Sequence, residues 1–407
     1  MKRIVIVGAG EAGARAALGQ REGGHAGAIT LIGDEPHAPY ERPPLSKAFV
    51  LEEDEPSPTI ADARDLGARG IEVRHGARVA SLDPARKTLT LTDGESIGYD
   101  ILVLATGARP RRLSIPGGEH AQTLRSVEDA RRIRAALRGG ARTIIIGGGL
   151  IGLELAASGR KLGCEVSVIE AAARILTRGV PEVFARRLAE RHRAEGVHLF
   201  EGCGLIAIER RGAAFDVRLA NGQTLEADFV TAGVGAEPNV ELARAAGLAI
   251  DNGITVDENL RTSDPDIFAV GDCANFPLLA FGGRRIRLEA WRNAFDQGAH
   301  VAKAILGTAG AYRAVPWFWS DQYDWTLQIT GVPDLGRSVV TRPMGGGAEI
   351  AFHMAEDGVL TGASALGPLS AIGKDMRIAE MLVSAGASPD PLKLADPMVK
   401  MKALLAR

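Results

Sequence analysis

Short, wholly apolar runs closed by glycine or an acid recur along this chain, separated by longer stretches in which alanine and leucine alternate with charge. Arg3–Val7 is the first such run, of the kind expected for a strand buried on both faces of a parallel sheet. A helical stretch, 14–20, and a second apolar strand, Ala28–Ile32, follow it. The same rhythm returns at Thr143–Ile146, a helix running to Lys161, and the strand Glu165–Ile169. Asp100–Leu104, the run from Ala227 to Ala232, and Ile267–Val270 add further buried strands, each ending at or near glycine. Strand, helix and strand in alternation predict α/β architecture with parallel sheets.

The junctions carry the chemistry. Gly8-Ala-Gly10-Glu-Ala-Gly13 links the first strand to its helix, and Gly147-Gly-Gly149-Leu-Ile-Gly152 does so in the later unit. Alone, a GxGxxG string is weak. Placed between a strand and a helix, with an acid closing the next strand, it marks a dinucleotide site. The glycines let backbone approach a pyrophosphate at the helix N-terminus, where partial positive charge collects. Asp34, with Glu35 as the adjacent alternative, ends the second strand of the first unit, and Glu170 ends that of the second. Such an acid accepts hydrogen bonds from ribose hydroxyls. At Glu170 it also repels a 2′-phosphate and favours NADH, although Arg174 could assist such a phosphate or make a local salt bridge.

Composition narrows the reading. The 407 residues call for two or three domains, and 50 glycines suit a fold with many close backbone approaches. A net charge of −2 leaves no basic excess for nucleic acid. The arginine-dense stretch 109–142 reads either as a solvated helix face or as a docking surface for an acidic partner. No apolar run approaches the roughly 20 residues of a membrane span. The first strand begins at once, so a cytoplasmic protein without membrane contact is expected. Cys164, Cys203 and Cys273 are widely spaced and form no CxxC pair, so neither a thiol active site nor a resident metal is expected.

Four further segments make the pattern specific. Pro39–Lys47 (PYERPPLSK), Ala105-Thr-Gly-Ala-Arg-Pro110, Gly271-Asp-Cys-Ala274 and Pro316–Gln322 (PWFWSDQ) stand in order along the chain. In them the sequence resembles the NADH-dependent ferredoxin reductases of bacterial cytochrome P-450 and Rieske oxygenase systems. The match is loose from about residue 335 onward. The resemblance implies a discontinuous FAD domain at 1–108 and 233–312, an inserted NADH domain at 109–232, and a C-terminal domain at 313–407 built around a sheet. It implies FAD and NADH as cofactors, a [2Fe–2S] ferredoxin as partner, and a monomer or homodimer.

By the same resemblance Gly8, Gly10, Ala12, Gly13, Asp34, Glu35, Arg42, Lys47, Val79, Ala105, Thr106, Gly107, Arg125, Gly271, Asp272 and Trp291 serve FAD. Gly147, Gly149, Ile151, Gly152, Glu154 and Glu170 serve NADH. Lys47 is expected against the flavin, paired across the domain interface with Glu154, which would stand at the start of its helix. A helix beginning near Asn293, just after Trp291, is expected to point its N-terminus at the flavin. Trp319, with Trp317 beside it, is expected either to pack in the core or to lie on the electron-transfer face. A rubredoxin reductase or an NADH oxidase on the same scaffold fits the same residues. A coenzyme A-disulfide reductase would need a cysteine in the first-domain loop, where Ser46-Lys47 stands instead. An apoptosis-inducing-factor-like flavoprotein acting by binding would call for a targeting segment or a basic surface.

Overall fold

The computed structural model describes residues 1–56 and 58–405. The chain divides into two compact units. One comprises Met1–Arg42, Ser57–Arg109 and Glu237–Pro316, and the other Pro43–Pro56, Pro110–Ala236 and Trp317–Arg407.

The first unit is organised on a parallel five-stranded sheet. Its strand order is Ile267–Ala269, Ile101–Leu104, Ile4–Val7, Ile29–Ile32, Ile71–Arg74. The inner strands are buried along their whole length, as their unbroken Ile/Leu/Val runs predict. The helix Glu11–Glu22 returns the chain from the first strand to the second. It crosses the helix Trp291–Ile305 at close range, because a Cβ on Gly298 would stand 2.5 Å from the Ala12 carbonyl oxygen. Gln297 on that crossing accepts from the Gly271 amide at 2.8 Å. A small antiparallel sheet, 79–98, and a small mixed sheet, 254–286, complete the unit.

The second unit repeats the parallel sheet in the order His198–Glu201, Glu165–Glu170, Arg142–Ile146, Phe229–Ala232, Gln122–Thr123. An antiparallel sheet of five strands follows, ordered Trp317–Gln322, Trp325–Gly331, Leu360–Gly367, Ala348–Met354, Ser338–Gly345, with the helix Leu369–Ser384 after it. One core joins the two sheets. Leu153, Ile175, Phe184 and Leu188 pack with Leu327, Ile329, Ala351 and Leu366. The helix Glu182–Ala194 faces this core with Phe184, Ala185, Leu188, Ala189 and His192, an i, i+1, i+4, i+5, i+8 stripe. Truncating Phe184, fully buried here, removes packing worth about 3–5 kcal/mol.

Three expectations shift. The helix placed near Asn293 begins at Trp291, so the indole is its first residue rather than preceding it. The first dinucleotide helix starts at Glu11, so Gly13 lies inside it. Glu154 is the fifth residue of Leu150–Lys161, in the second turn, too far along to serve the first-turn dipole. Among the described residues no helix is long and apolar enough to cross a membrane.

Candidate functional site

Each glycine fingerprint builds the same cradle. Gly8 adopts φ +111° and Gly147 φ +103°, backbone that side chains rarely enter. A Cβ on Gly8 would lie 2.1 Å from the Ala105 carbonyl oxygen, and one on Gly147 2.5 Å from that of Gly233. Gly13 and Gly152 press on the carbonyls of Gly8 and Gly147, where a Cβ would stand at 1.9 and 2.2 Å. The middle glycines differ from these. Among the described residues nothing lies within 4 Å of a Cβ built on Gly10, and only the Gly233 oxygen, at 3.9 Å, approaches one on Gly149. Gly10 and Gly149 are also the N-caps, and no described side chain caps either helix. Both helices therefore present unsatisfied amides to open space, which fits a pyrophosphate.

Around the first cradle, Ala105 donates to the Val7 carbonyl at 2.7 Å. Thr106 Oγ1 donates to the Asn239 carbonyl at 2.7 Å and Asn239 Nδ2 returns to that of Thr106 at 2.8 Å, closing the turn at Gly107. Asp34 is exposed, while Glu35 accepts from Tyr40 Oη at 2.5 Å and from Arg42 at 2.6 Å. Burial alone would depress the Arg42 guanidinium, but Tyr40, Glu35 and the half-buried Asp272 together raise it above its ordinary value. Gly271 follows the edge strand with φ +77° and packs on Ala12. Val79 is half-buried at the start of its strand. Trp291 stacks at 5.4 Å on Phe295. Beside them Glu11 is raised by burial, which outweighs its pairing with Arg15 at 2.8 Å.

Around the second cradle, Glu170 spends both oxygens on its own loop: Oε2 accepts from the Gly148 amide at 2.8 Å and Oε1 from that of Ala172 at 2.7 Å. A carboxylate has lone pairs left for ribose hydroxyls. Arg174, open in the sequence, donates to the carbonyls of Ile175, Leu176 and Val180 at 2.7 to 3.2 Å and so holds the loop. Ile151 is exposed at the helix start. The Arg125 amide donates to Asp129 at 2.9 Å, beside the Ser126 capping box of Val127–Leu137.

Lys47, Glu154 and Trp319 come together, all within the second unit. The second unit holds the Lys47 segment because Pro43–Pro56 belongs to it. Lys47 Nζ lies 3.1 Å from Glu154 Oε2 and 5.7 Å from the centre of the Trp319 indole. Trp317 stacks on Trp319 at 5.2 Å, and Trp319 Nε1 donates to Asp321 at 3.0 Å. Glu154 is 6% exposed, and burying a carboxylate is costly unless every oxygen is served. Ser46 Oγ donates to Oε2 at 2.5 Å, and Ser320 Oγ to Oε1 at 2.7 Å. Ser158, one turn further along the helix, donates to the Ser46 carbonyl at 2.9 Å and fixes that hydroxyl in place. Sequence reading passed over Ser46 and Ser320, although both stand inside the quoted motifs. A serine flanking a charged residue has no pattern of its own.

The arginine-dense stretch is largely spent internally. Arg131 pairs with Glu55 at 2.5 Å, Arg134 donates to the Phe49 and Glu52 carbonyls, and Arg142 grips Asp228 at 2.6 Å. The three cysteines are free and buried, and burial raises the thiols of Cys164 and Cys273, opposite to what a reactive thiolate needs.

Comparison with known proteins agrees with this geometry. The family model described as pyridine nucleotide-disulphide oxidoreductase matches residues 2–298, and one described as reductase C-terminal matches 317–405. The anthranilate 1,2-dioxygenase system ferredoxin–NAD(+) reductase component of Burkholderia cepacia is 41% identical, with 99% of each chain covered. The rubredoxin–NAD(+) reductase of Pseudomonas putida is 41% identical over 81% of this chain and 86% of its own. Among solved structures, the ferredoxin reductase for the CYP199A2 system from Rhodopseudomonas palustris superposes with a TM-score of 0.93 at 37% identity, covering 98% of this chain and 99% of that one.

Proposed function

We infer, from its membership in the pyridine nucleotide-disulphide oxidoreductase family to which this chain belongs, that it is an FAD-dependent reductase oxidising NADH on behalf of a [2Fe–2S] ferredoxin. The ferredoxin in turn feeds an oxygenase. The carrying observation is the repeat of one uncapped, glycine-lined helix start in two parallel sheets. One such cradle takes the pyrophosphate of FAD and the other that of NADH. Residues 1–108 and 233–312 are assigned to FAD binding, 109–232 to NADH, and 313–407 to the C-terminal domain. The protein works in the cytoplasm, as a monomer or homodimer.

When bound, FAD supplies the redox chemistry, taking a hydride from NADH and releasing electrons singly. The chain supplies position and charge. Glu170 accepts the adenosine ribose hydroxyls and disfavours a 2′-phosphate. Lys47 brings a cation to the reacting ring, and Glu154 balances that cation so that neither charge is buried alone. Trp319 sets its ring 5.7 Å from the Lys47 ammonium and limits water there.

Lys47→Met tests the catalytic assignment. NADH-driven bleaching of the flavin band, followed anaerobically by stopped flow, should slow about 10- to 100-fold, the range for losing one charged contact, with FAD still bound. An unchanged rate removes Lys47 from the mechanism. The electron acceptor is tested by cytochrome c reduction with a ferredoxin panel, rubredoxin and oxygen alone. Turnover highest with rubredoxin or with oxygen would replace the ferredoxin reading.

A further inference from the structure

Glu154 is the end of a longer string of buried polar groups. Ser320, which donates to it, is also 3.0 Å from Gln322 Nε2. Gln322 Oε1 is 2.8 Å from His192 Nε2, and His192 Nδ1 is 2.9 Å from Tyr323 Oη. Ser320 and Gln322 lie two apart on the strand Trp317–Gln322, hence on one face of it, and His192 is on the helix Glu182–Ala194. Ser320 and Gln322 are each 1% exposed and His192 not at all. Every member belongs to the second unit.

The chemistry gives this string a direction. A carboxylate has no hydrogen to donate, so the Ser320 hydroxyl must point at Glu154. Its oxygen then accepts from the Gln322 amide NH2, which turns the Gln322 carbonyl toward His192. That carbonyl requires a proton on His192 Nε2, which leaves Nδ1 bare to accept from the Tyr323 hydroxyl. All four donors aim the same way, and the last meets the carboxylate.

A simple core would fill these positions with apolar side chains at lower cost, since each buried polar group must be matched. Tyr323 also holds an unfavourable backbone, φ +59°, in the two-residue turn joining the strands Trp317–Gln322 and Trp325–Gly331. Its ring meets that of His192 edge-on at 5.0 Å. Burial pushes His192 down to about 4, so the ring is neutral at working pH, as the string needs.

We propose that Ser320, Gln322 and His192 are positioning residues for NADH oxidation, a one-way donor string that fixes the Glu154 carboxylate and through it the Lys47 ammonium. The proposal rests on the reading that the Lys47–Glu154 pair serves hydride transfer, and it adds the C-terminal sheet to the apparatus that orients that pair.

The test uses the FAD-loaded protein and two variant pairs, Ser320→Ala with Ser320→Thr, and His192→Leu with His192→Gln. Thr keeps the hydroxyl, and Gln keeps an N–H near the place of Nε2. Ser320→Ala should slow flavin bleaching at saturating NADH about tenfold, the low end for a hydrogen bond to a charged group. Half-saturating NADH and FAD content should hold, Tm should fall because Glu154 and Gln322 each lose a buried partner, and Ser320→Thr should recover most of the rate and of the Tm. His192→Leu should slow it about threefold, being further away, with His192→Gln near the parent. Independently of activity, 15N shifts of the imidazoles should show His192 protonated on Nε2 and bare on Nδ1, with the resonance assigned by its loss in His192→Gln. Parental rates in Ser320→Ala and His192→Leu, beside a slow Lys47→Met, would overturn the string alone. If Lys47→Met is also unimpaired, both readings fall. A proton on His192 Nδ1 reverses the direction and overturns the proposal, even if Ser320→Ala fails to fold.

Discussion

At the first cradle the Gly8 amide donates to the Ile32 carbonyl, and at the second the Gly147 amide donates to that of Ile169, both at 2.8 Å. This shared bond aligns the two regions residue by residue and sets Gly33 opposite Glu170, Ala9 opposite Gly148. In the first region a Cβ on Gly33 would come 2.7 Å from the Ala9 methyl, so the position can carry no side chain and the acid is displaced to Asp34 and Glu35. In the second, the methyl is absent at Gly148, and the Glu170 carboxylate folds over that backbone to accept its N–H. One methyl group exchanged between neighbouring strands therefore decides where each site keeps its acid. Identical glycine spacing can hold two ribose environments because this second contact is set independently of the fingerprint.

The largest effects should come from the third glycines. Gly13→Val drives a side chain into the Gly8 carbonyl and should yield protein purified without its yellow colour. Gly152→Val should retain FAD yet lose NADH oxidation by about a hundredfold or more, with chemical reduction by dithionite intact. Equal loss of colour in both variants would dissolve the distinction between the sites. Next, Gly148→Ala places a Cβ 2.7 Å from Ile175 and 3.2 Å from the Glu170 carboxylate. It should raise the KM for NADH about tenfold with a smaller change in kcat. Ala9→Gly, the reverse exchange, should be nearly silent in NADH kinetics.

Glu170→Gln removes the charge that faces a 2′-phosphate, and the NADH-over-NADPH ratio of kcat/KM should fall about tenfold, or 1.4 kcal/mol. Arg174→Met should leave that ratio unchanged while lowering Tm, since its guanidinium binds three carbonyls of its own loop. The last effect concerns acid and is read in stability rather than turnover. Burial pushes His353 down to about 4, from an ordinary value of 6.5. Between those values the unfolded chain binds the extra proton, so stability is full above pH 6.5 and falls as pH drops toward 4. The slope is about 1.4 kcal/mol per pH unit for that one group. His353→Gln should flatten this part of the Tm-against-pH curve, and His192→Gln should do the same, because His192 also lies near 4.

Much of the parallel architecture was legible because a strand buried on both faces reads as a continuous apolar run, as Ile4–Val7 and Ile144–Ile146 do. The glycines were legible because steric exclusion leaves no substitute at Gly8 or Gly147. Lys47, Glu154 and Trp319 entered through resemblance, and the structure brings the three together. What escaped was whatever depends on a partner distant in sequence. His192 sits on an amphipathic helix where leucine would satisfy the pattern equally well, and its reasons, Gln322 and Tyr323, lie 130 and 131 positions away. The grouping of Pro43–Pro56 with the second unit is likewise set by tertiary packing and leaves no mark in the composition. The start of the Trp291 helix was misplaced by two residues because no capping side chain announces it.

The burial of Cys164, Cys203 and Cys273 has a practical side. A maleimide meeting the folded protein finds its native thiols enclosed, so a cysteine introduced at a chosen surface position becomes the one thiol open to labelling. Spectroscopic rulers and cross-linkers can then be attached to the native framework without first replacing its cysteines. The redox partner's footprint becomes a question that can be asked one surface position at a time.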